Sequence, residues 1–404
     1  MSLRCLFVVQ GEGRGHMTQA LALRRLLIAA GHSITGVVMG RSDRRDVPDF
    51  VQDRLDEPIS FIKSPNFVAD PDERTVRPFA TAIRGLRDTR QLYRETRSLR
   101  DRIEAHDPDV VINFFEPMVG WTYLRHAPDP PLVCVGHQYM FLHSGYRFPP
   151  GRRLSRWMAR AFARSTAWRA DRCLALSLYP VDPVGEADAG STLRVMPPLL
   201  RQELFAQPVD RTEPFFLVYL VNRGYAEQVV RWHEQHPEVR LHCFWDRPGE
   251  ELVEEYDETL TFHQLDGQKF LSMMARCRGL VSTAGFESVA EAMYLGKPVQ
   301  VVPVEGHFEQ WCNAFDTVRA GAGVRSERFN LSLLDEHLTS LEAAQHNLES
   351  FRSWLHRGRD RFVAEIEAAA GGKQVFQREN GEVISPTAGA DQTGPWAKTE
   401  SQLA

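Results

Sequence analysis

The sequence predicts an α/β protein built from two Rossmann-like domains that face each other across a cleft. Three observations lead there. The first half alternates short apolar runs with helical patterns, as parallel sheets flanked by helices do. A cluster of prolines (Pro180, Pro183, Pro197, Pro198, Pro208, Pro214) then interrupts the chain. A second alternating series follows, so the prolines read as an interdomain connection.

Taken in order, the first half reads as strand 3–9, helix 16–30, strand 33–39, an Arg-rich helix over about 79–105, strand 109–114, helix 117–126 and strand 132–136. Each strand is a short apolar run ending in turn residues, and each helix repeats apolar residues at three- and four-residue intervals. Beyond the prolines come strand 215–221, helix 224–235, strand 241–245, helix 267–276, strand 279–283, helix 285–295, strand 298–304 and helix 308–320. Residues 333–368 are helical. From Gly371 the chain turns to Gly, Thr, Ser and Gln with little apolar content, the composition of a disordered tail. The expected division is therefore 1–200, 201–370 and a tail 371–404.

With 404 residues, 43% of them hydrophobic and 25% charged, the chain can fill two cores of ordinary composition. No apolar run is long enough to span a membrane. The N-terminus is a short strand followed by glycines, unlike a signal peptide. Six cysteines (Cys5, Cys134, Cys173, Cys243, Cys277, Cys312) are scattered without a C-x-x-C pair, which fits buried thiols in a reducing cytoplasm. Residues 1–200 carry 28 Lys+Arg against 22 Asp+Glu, and the rest carries 20 against 31, so the two halves are suited to different partners.

The first stretch built for chemistry is "VVQGEGRGHMTQA", residues 8–20. A dinucleotide fingerprint would need G-x-G-x-x-G. Gly11 and Gly13 fit, but the third position is His16, and the second strand ends in Gly40-Arg41 where an acid would hold a ribose. The glycines serve another purpose.

A longer segment carries more: "LVSTAGFESVAEAMYLGKPVQVVPVEGHFEQWCNA", residues 280–314. A buried strand ends in Ser282-Thr283-Ala284-Gly285 and a helix begins at once, presenting unpaired N–H groups and a partial positive charge suited to a diphosphate. Glu291 follows within two turns, polar among apolar neighbours, where a carboxylate can accept both hydroxyls of a ribose; otherwise it is an ordinary exposed helix residue. "EGHFEQWCNA" then opens another helix with Glu309, Gln310 and Asn313.

This segment resembles the C-terminal donor site of GT-B glycosyltransferases, in particular the bacterial enzyme that adds N-acetylglucosamine to lipid-linked muramyl-pentapeptide, and the wider UDP-glycosyltransferases. The resemblance implies that Ser282, Thr283, Gly285 and Phe286 border the diphosphate, that Glu291 holds the ribose, and that Glu309 and Gln310 contact the donor sugar. It places the backbone near Leu265, in "FHQLDGQ", against the base, and Asn222 and Arg223, in "VNRGY", beside the phosphates. "MPPLLR" is similar to the family's linker, with Arg201 its arginine. Gly13, Gly15 and His137 would then face the acceptor, with His16 pointing into the cleft. The C-terminal helices would pack back on the first domain.

Transfer of a sugar needs a base for the acceptor hydroxyl and stabilisation of the leaving diphosphate. Neutral His16 suits the first role, its alternative being a helix-capping histidine. Relatives place a charged residue after the fourth strand, where this chain has "INFFEPMVGW" with Glu116 as the only carboxylate; His16 and Glu116 are the catalytic candidates. Asp70-Pro71-Asp72 and Asp107-Pro108-Asp109 read as proline turns and not as the metal-binding D-x-D of GT-A enzymes, so no metal and no cofactor beyond the nucleotide sugar is expected. A UDP-sugar 2-epimerase and a non-catalytic nucleotide-sugar-binding protein remain as alternatives. Residues 152–172 form a basic amphipathic helix with Leu154, Trp157, Met158, Phe162 and Trp168 on one stripe and Arg153, Arg156, Arg160 and Arg164 beside it. It either packs its aromatic stripe on the core or touches an anionic membrane from the cytoplasmic side. With a pI near 6.3 and no recognised motif, nucleic acid is not an expected partner.

Overall fold

A computed structural model describes residues 2–11, 13–41, 54–64, 89–181, 192–208, 212–220, 225–245, 253–338 and 342–378. The first domain contains β1 (Arg4–Gln10), α1 (Arg14–Ala29), β2 (Ser33–Arg41), β3 (Ile59–Lys63), α2 (Thr89–His106), β4 (Val110–Phe114), α3 (Pro117–His126), β5 (Leu132–Gly136), α4 (Arg153–Thr166), β6 (Arg172–Leu176) and β7 (Leu193–Met196). Its seven strands lie in the order β3-β2-β1-β4-β5-β6-β7, all parallel. The second domain contains β8 (Phe216–Leu220), α5 (Ala226–His233), β9 (Leu241–Trp245), β10 (Val253–Glu255), β11 (Leu260–Gln264), α6 (Gly267–Arg276), β12 (Gly279–Ser282), α7 (Phe286–Tyr294), β13 (Val299–Val301), α8 (Phe308–Arg319), β14 (Gly323–Arg325), α9 (Ser332–Leu338) and α10 (Glu342–Arg378). Its order is β10-β11-β9-β8-β12-β13-β14, parallel except for β10.

In both sheets the strand order reverses at one place, between β1 and β4 in the first and between β8 and β12 in the second. At such a switch point the loops diverge and leave a crevice beyond the carboxyl ends of the strands. The loop after β1 leads to His16 at the start of α1, the loop after β4 carries Phe115 and Glu116, and the loop after β12 carries Gly285, so each lies at the switch point of its own sheet.

The helix α1 shows how the sequence commits locally. It begins at Gly13, buries Met17, Ala20, Leu23 and Leu27 at helical spacing, and ends at Gly31, whose φ of +86° suits a residue without a β-carbon. The strands β3, β6, β7, β10, β11 and β14, of three to five residues each, were not foreseen. The Arg-rich helix is described from Thr89; residues 79–88 of that expectation lie outside the described residues. The last helix, α10, continues through Arg378, past the Gly371 boundary expected for the tail. Asp107 takes φ +42° and pairs with Arg4, the turn that its proline predicted, while Asp70–Asp72 lie outside the described residues.

The helix α10 returns to the first domain. The Trp354 indole donates to the Ser177 carbonyl at 3.3 Å, Glu365 pairs with Arg172 and Arg194, and Gly358 abuts Pro197 with no room for a β-carbon. Trp354, Phe362 and Ile366 join one continuous core with Leu23, Leu174 and Leu199. A second seam runs along α8. Asp316, from the second domain, accepts from Tyr146 at 2.7 Å and Tyr179 at 3.1 Å, both of the first, and Cys312 sits in the first domain's core. Burial pushes the Asp316 carboxyl above its ordinary range. Together these seams hold the domains closed against each other.

Candidate active site

The second domain supplies a seat for an anion. After β12 the backbone passes through Ala284 at φ +61° and reaches Gly285, which caps α7 with no side-chain hydrogen bond. A non-glycine residue in the left-handed region costs on the order of 1 kcal/mol and must be held by its surroundings. Here the Asn313 side-chain amide donates to the Ala284 carbonyl at 2.9 Å. Ser282 and Ser288 join hydroxyls at 3.0 Å, and Ser288 donates to the Gly285 carbonyl. The Thr283 hydroxyl is buried without a partner. Phe286 begins the helix and is itself buried.

Glu291 lies on the same helix, 4% exposed, and is no ordinary surface residue. Arg201 from the interdomain linker grips it with two hydrogen bonds of 2.6 and 2.7 Å, and also donates to the Gly267 carbonyl at 3.0 Å. One arginine thus ties the linker, α7 and the loop that follows Leu265. A carboxylate has about four lone-pair sites, so the fork leaves two of the Glu291 sites open. Gln310 accepts from the Val304 amide through Oε1 at 2.8 Å, while His307 caps α8. Asn222 and Arg223 lie outside the described residues.

The first domain meets this seat with four polar side chains. His16 is buried at the start of α1, stacked on Phe115 at 5.7 Å, with Nδ1 unpartnered and Nε2 3.5 Å from the Gln138 amide. Burial is the largest influence on its pKa and lowers it from 6.5; nearby Glu309 and the Gln19 side chain oppose this, and His137 adds to it. Gln138 donates to Glu309 at 3.1 Å. His137 reaches Asn313 at 2.5 Å and stacks on Phe286 at 4.3 Å. Gln19 donates to Glu287, whose carboxylate presses on Gly15. Gly15 is thus closely approached by a side chain of the other domain. Gly13 is the N-cap of α1.

Glu116 requires correction. Its carboxylate is fully buried, caps α3 by accepting from the Met118 amide at 3.1 Å, accepts from the Ser64 hydroxyl at 2.8 Å, and packs against Gly40. A carboxylate so enclosed holds a helix start and is not presented to a substrate. The residue after β4 that does face His16 is Phe115, also in the left-handed region at φ +61°. Sequence reading missed Gln19 and Glu287, while His137-Gln138, directly after the fifth strand of the first half, reads equally as a loop or as part of the cleft. Glu287 left a signal, as a carboxylate in the first turn of a largely apolar helix.

The arrangement can hold an anion at α7, a vicinal diol at Glu291, and a neutral imidazole across the cleft. The sequence model described as glycosyl transferase family 1 matches residues 3–342. No curated protein sequence matches the chain. Similar solved structures include CalG4, the calicheamicin glycosyltransferase, at 18% identity and TM-score 0.60, covering 92% of this chain and 99% of that one. UGT2 of Phytolacca americana, complexed with UDP-2fluoro-glucose and pterostilbene, is 12% identical with TM-score 0.59, covering 92% and 100%. MurG of Acinetobacter baumannii is 14% identical with TM-score 0.53, covering 91% and 100%. At such identities the likeness is one of fold, and that fold is GT-B.

Proposed function

The chain belongs to glycosyl transferase family 1, and from that premise we propose that it moves a hexosyl or N-acetylhexosaminyl group from a UDP-sugar to a hydroxyl of an acceptor held by the first domain. The observation that carries this reading is the seat at α7: a helix start behind a left-handed Ala284, with Gly285 as its cap, Glu291 within two turns and His16 opposite. A UDP-sugar fits it, since the diphosphate meets the helix N-terminus and the ribose meets the free lone pairs of Glu291. That UGT2 of Phytolacca americana holds a UDP-sugar analogue on this fold supports the choice of nucleotide. His16 accepts the acceptor proton, and the fixed positive potential of α7 stabilises the departing diphosphate without calling on a metal. Ser282, Thr283 and Phe286 line the diphosphate, Leu265 meets the base, and Glu309 and Gln310 select the sugar.

The test is release of UDP from a UDP-sugar panel with and without candidate acceptor pools. Acceptor-dependent release supports the reading. Conversion of the UDP-sugar without any acceptor would point to the 2-epimerase instead, and UDP-sugar binding without turnover to the non-catalytic protein.

A second reading concerns where the acceptor lies. No helix among the described residues is long and apolar enough to cross a membrane. On α4, however, the expected aromatic stripe divides: Phe162 packs on Phe115, whereas Leu154 and Trp157 are 58% and 68% exposed, and Trp168 just beyond is 46% exposed. Arg153, Arg156 and Arg164 are also exposed. This face suits peripheral contact with an anionic membrane, which would bring a lipid-linked acceptor to the first domain. Cosedimentation with vesicles containing phosphatidylglycerol is expected, weakened by salt and by Arg156→Glu with Trp157→Ser. Equal recovery on neutral vesicles, or none at low salt, would remove this reading.

A further inference from the structure

We infer that His137 is a positioning residue that carries domain closure, through Asn313, to the backbone that receives the diphosphate; this rests on the reading of α7 as the diphosphate seat. His137 follows β5 in the first domain and Asn313 lies on α8 of the second, and both are 3% exposed. Asn313 joins the two sides: its Oδ1 is 2.5 Å from His137 Nε2, and its Nδ2 donates to the Ala284 carbonyl at 2.9 Å. Because Ala284 offers only an acceptor there, the amide has one orientation, and His137 must donate to Oδ1.

Ala284 is the strained link. Its left-handed backbone turns the chain from β12 into the N-terminus of α7, one residue before Gly285. Whatever holds the Ala284 carbonyl therefore fixes the direction of the helix N–H groups that follow. The same imidazole stacks on Phe286, with the ring planes 18° apart, so His137 braces the turn from both sides. Moving the first domain away withdraws the ring from Asn313 and Phe286 together. The amide is then free to turn, and the seat loses its set geometry. Diphosphate affinity and domain closure are thereby one equilibrium.

The experiment is calorimetric binding of UDP and of uridine, which lacks the phosphates, to the full chain and its variants. His137→Ala is expected to weaken UDP about tenfold, the loss of one buried hydrogen bond, and to leave uridine unchanged. His137→Gln, which keeps an N–H within reach of Asn313, recovers most of the loss. Asn313→Ala matches His137→Ala, and the double variant adds little beyond either, as expected of two links in one chain. Should His137→Ala fail to fold, Asn313→Ala carries the comparison. Unchanged UDP affinity, equal weakening of UDP and uridine, or independent additive losses would each overturn the inference. A wild-type chain that binds neither molecule would remove the nucleotide reading beneath it, an outcome visible before any variant is made.

Discussion

Replacing His16 with alanine is expected to lower kcat by about 10²–10⁴-fold, the usual contribution of a positioned general base, while leaving UDP binding in place. The imidazole lies at the start of α1, across the cleft from α7, and its Nδ1 has no partner. Its surroundings favour the neutral form: burial lowers its pKa below 6.5, so the base stays unprotonated into mildly acidic solution. The sign is definite. Activity is retained above pH 6.5 and falls only as pH drops through the depressed value, so the acid limb of the profile lies below that of a free histidine. The measurement is kcat against pH for wild type and His16→Ala, with UDP affinity as a control. A variant that keeps half of the wild-type rate, or an acid limb above pH 6.5, would show that His16 only binds substrate.

The second large effect is on stability. Arg201→Ala is expected to destabilise the fold by about 3 kcal/mol, the lower end for breaking a buried pair, since Arg201 keeps a 19% exposed side chain. The cost arises because the Glu291 carboxylate, 5% exposed, is left charged without its partner. Replacing both at once, Arg201→Met with Glu291→Leu, removes the charge along with its partner and should recover most of that stability. It should not recover UDP binding, because the ribose hydroxyls then meet no carboxylate. Urea unfolding with UDP titration separates the two roles. If the double variant binds UDP like wild type, Glu291 serves only the linker.

These two residues also mark how much the sequence discloses. The turn from β12 into α7 was legible because its cues are local: a strand, a glycine, a helix start and a carboxylate within a few residues. The order of the long strands was legible for the same reason. Glu116 was misread although its cue was present, since an acid directly before Pro117 at a helix start is a cap by ordinary rules. What no local pattern carries is the pairing across the cleft. Gln138 and Glu309 are 171 residues apart, and His137 and Asn313 are 176. Only the packing of α8 and α10 on the first domain brings them together. The same packing turns Glu287 toward Gly15.

The central claim is that α7 and Glu291 form a UDP-sugar site. Thermal unfolding of the full chain against UDP, GDP, dTDP and their sugars tests it most directly, because a ligand at ~100 times its dissociation constant adds about 2.7 kcal/mol to the folded state. A selective rise with UDP and with one UDP-sugar is the predicted result. No rise with any nucleotide, or equal rises with all of them, would contradict it.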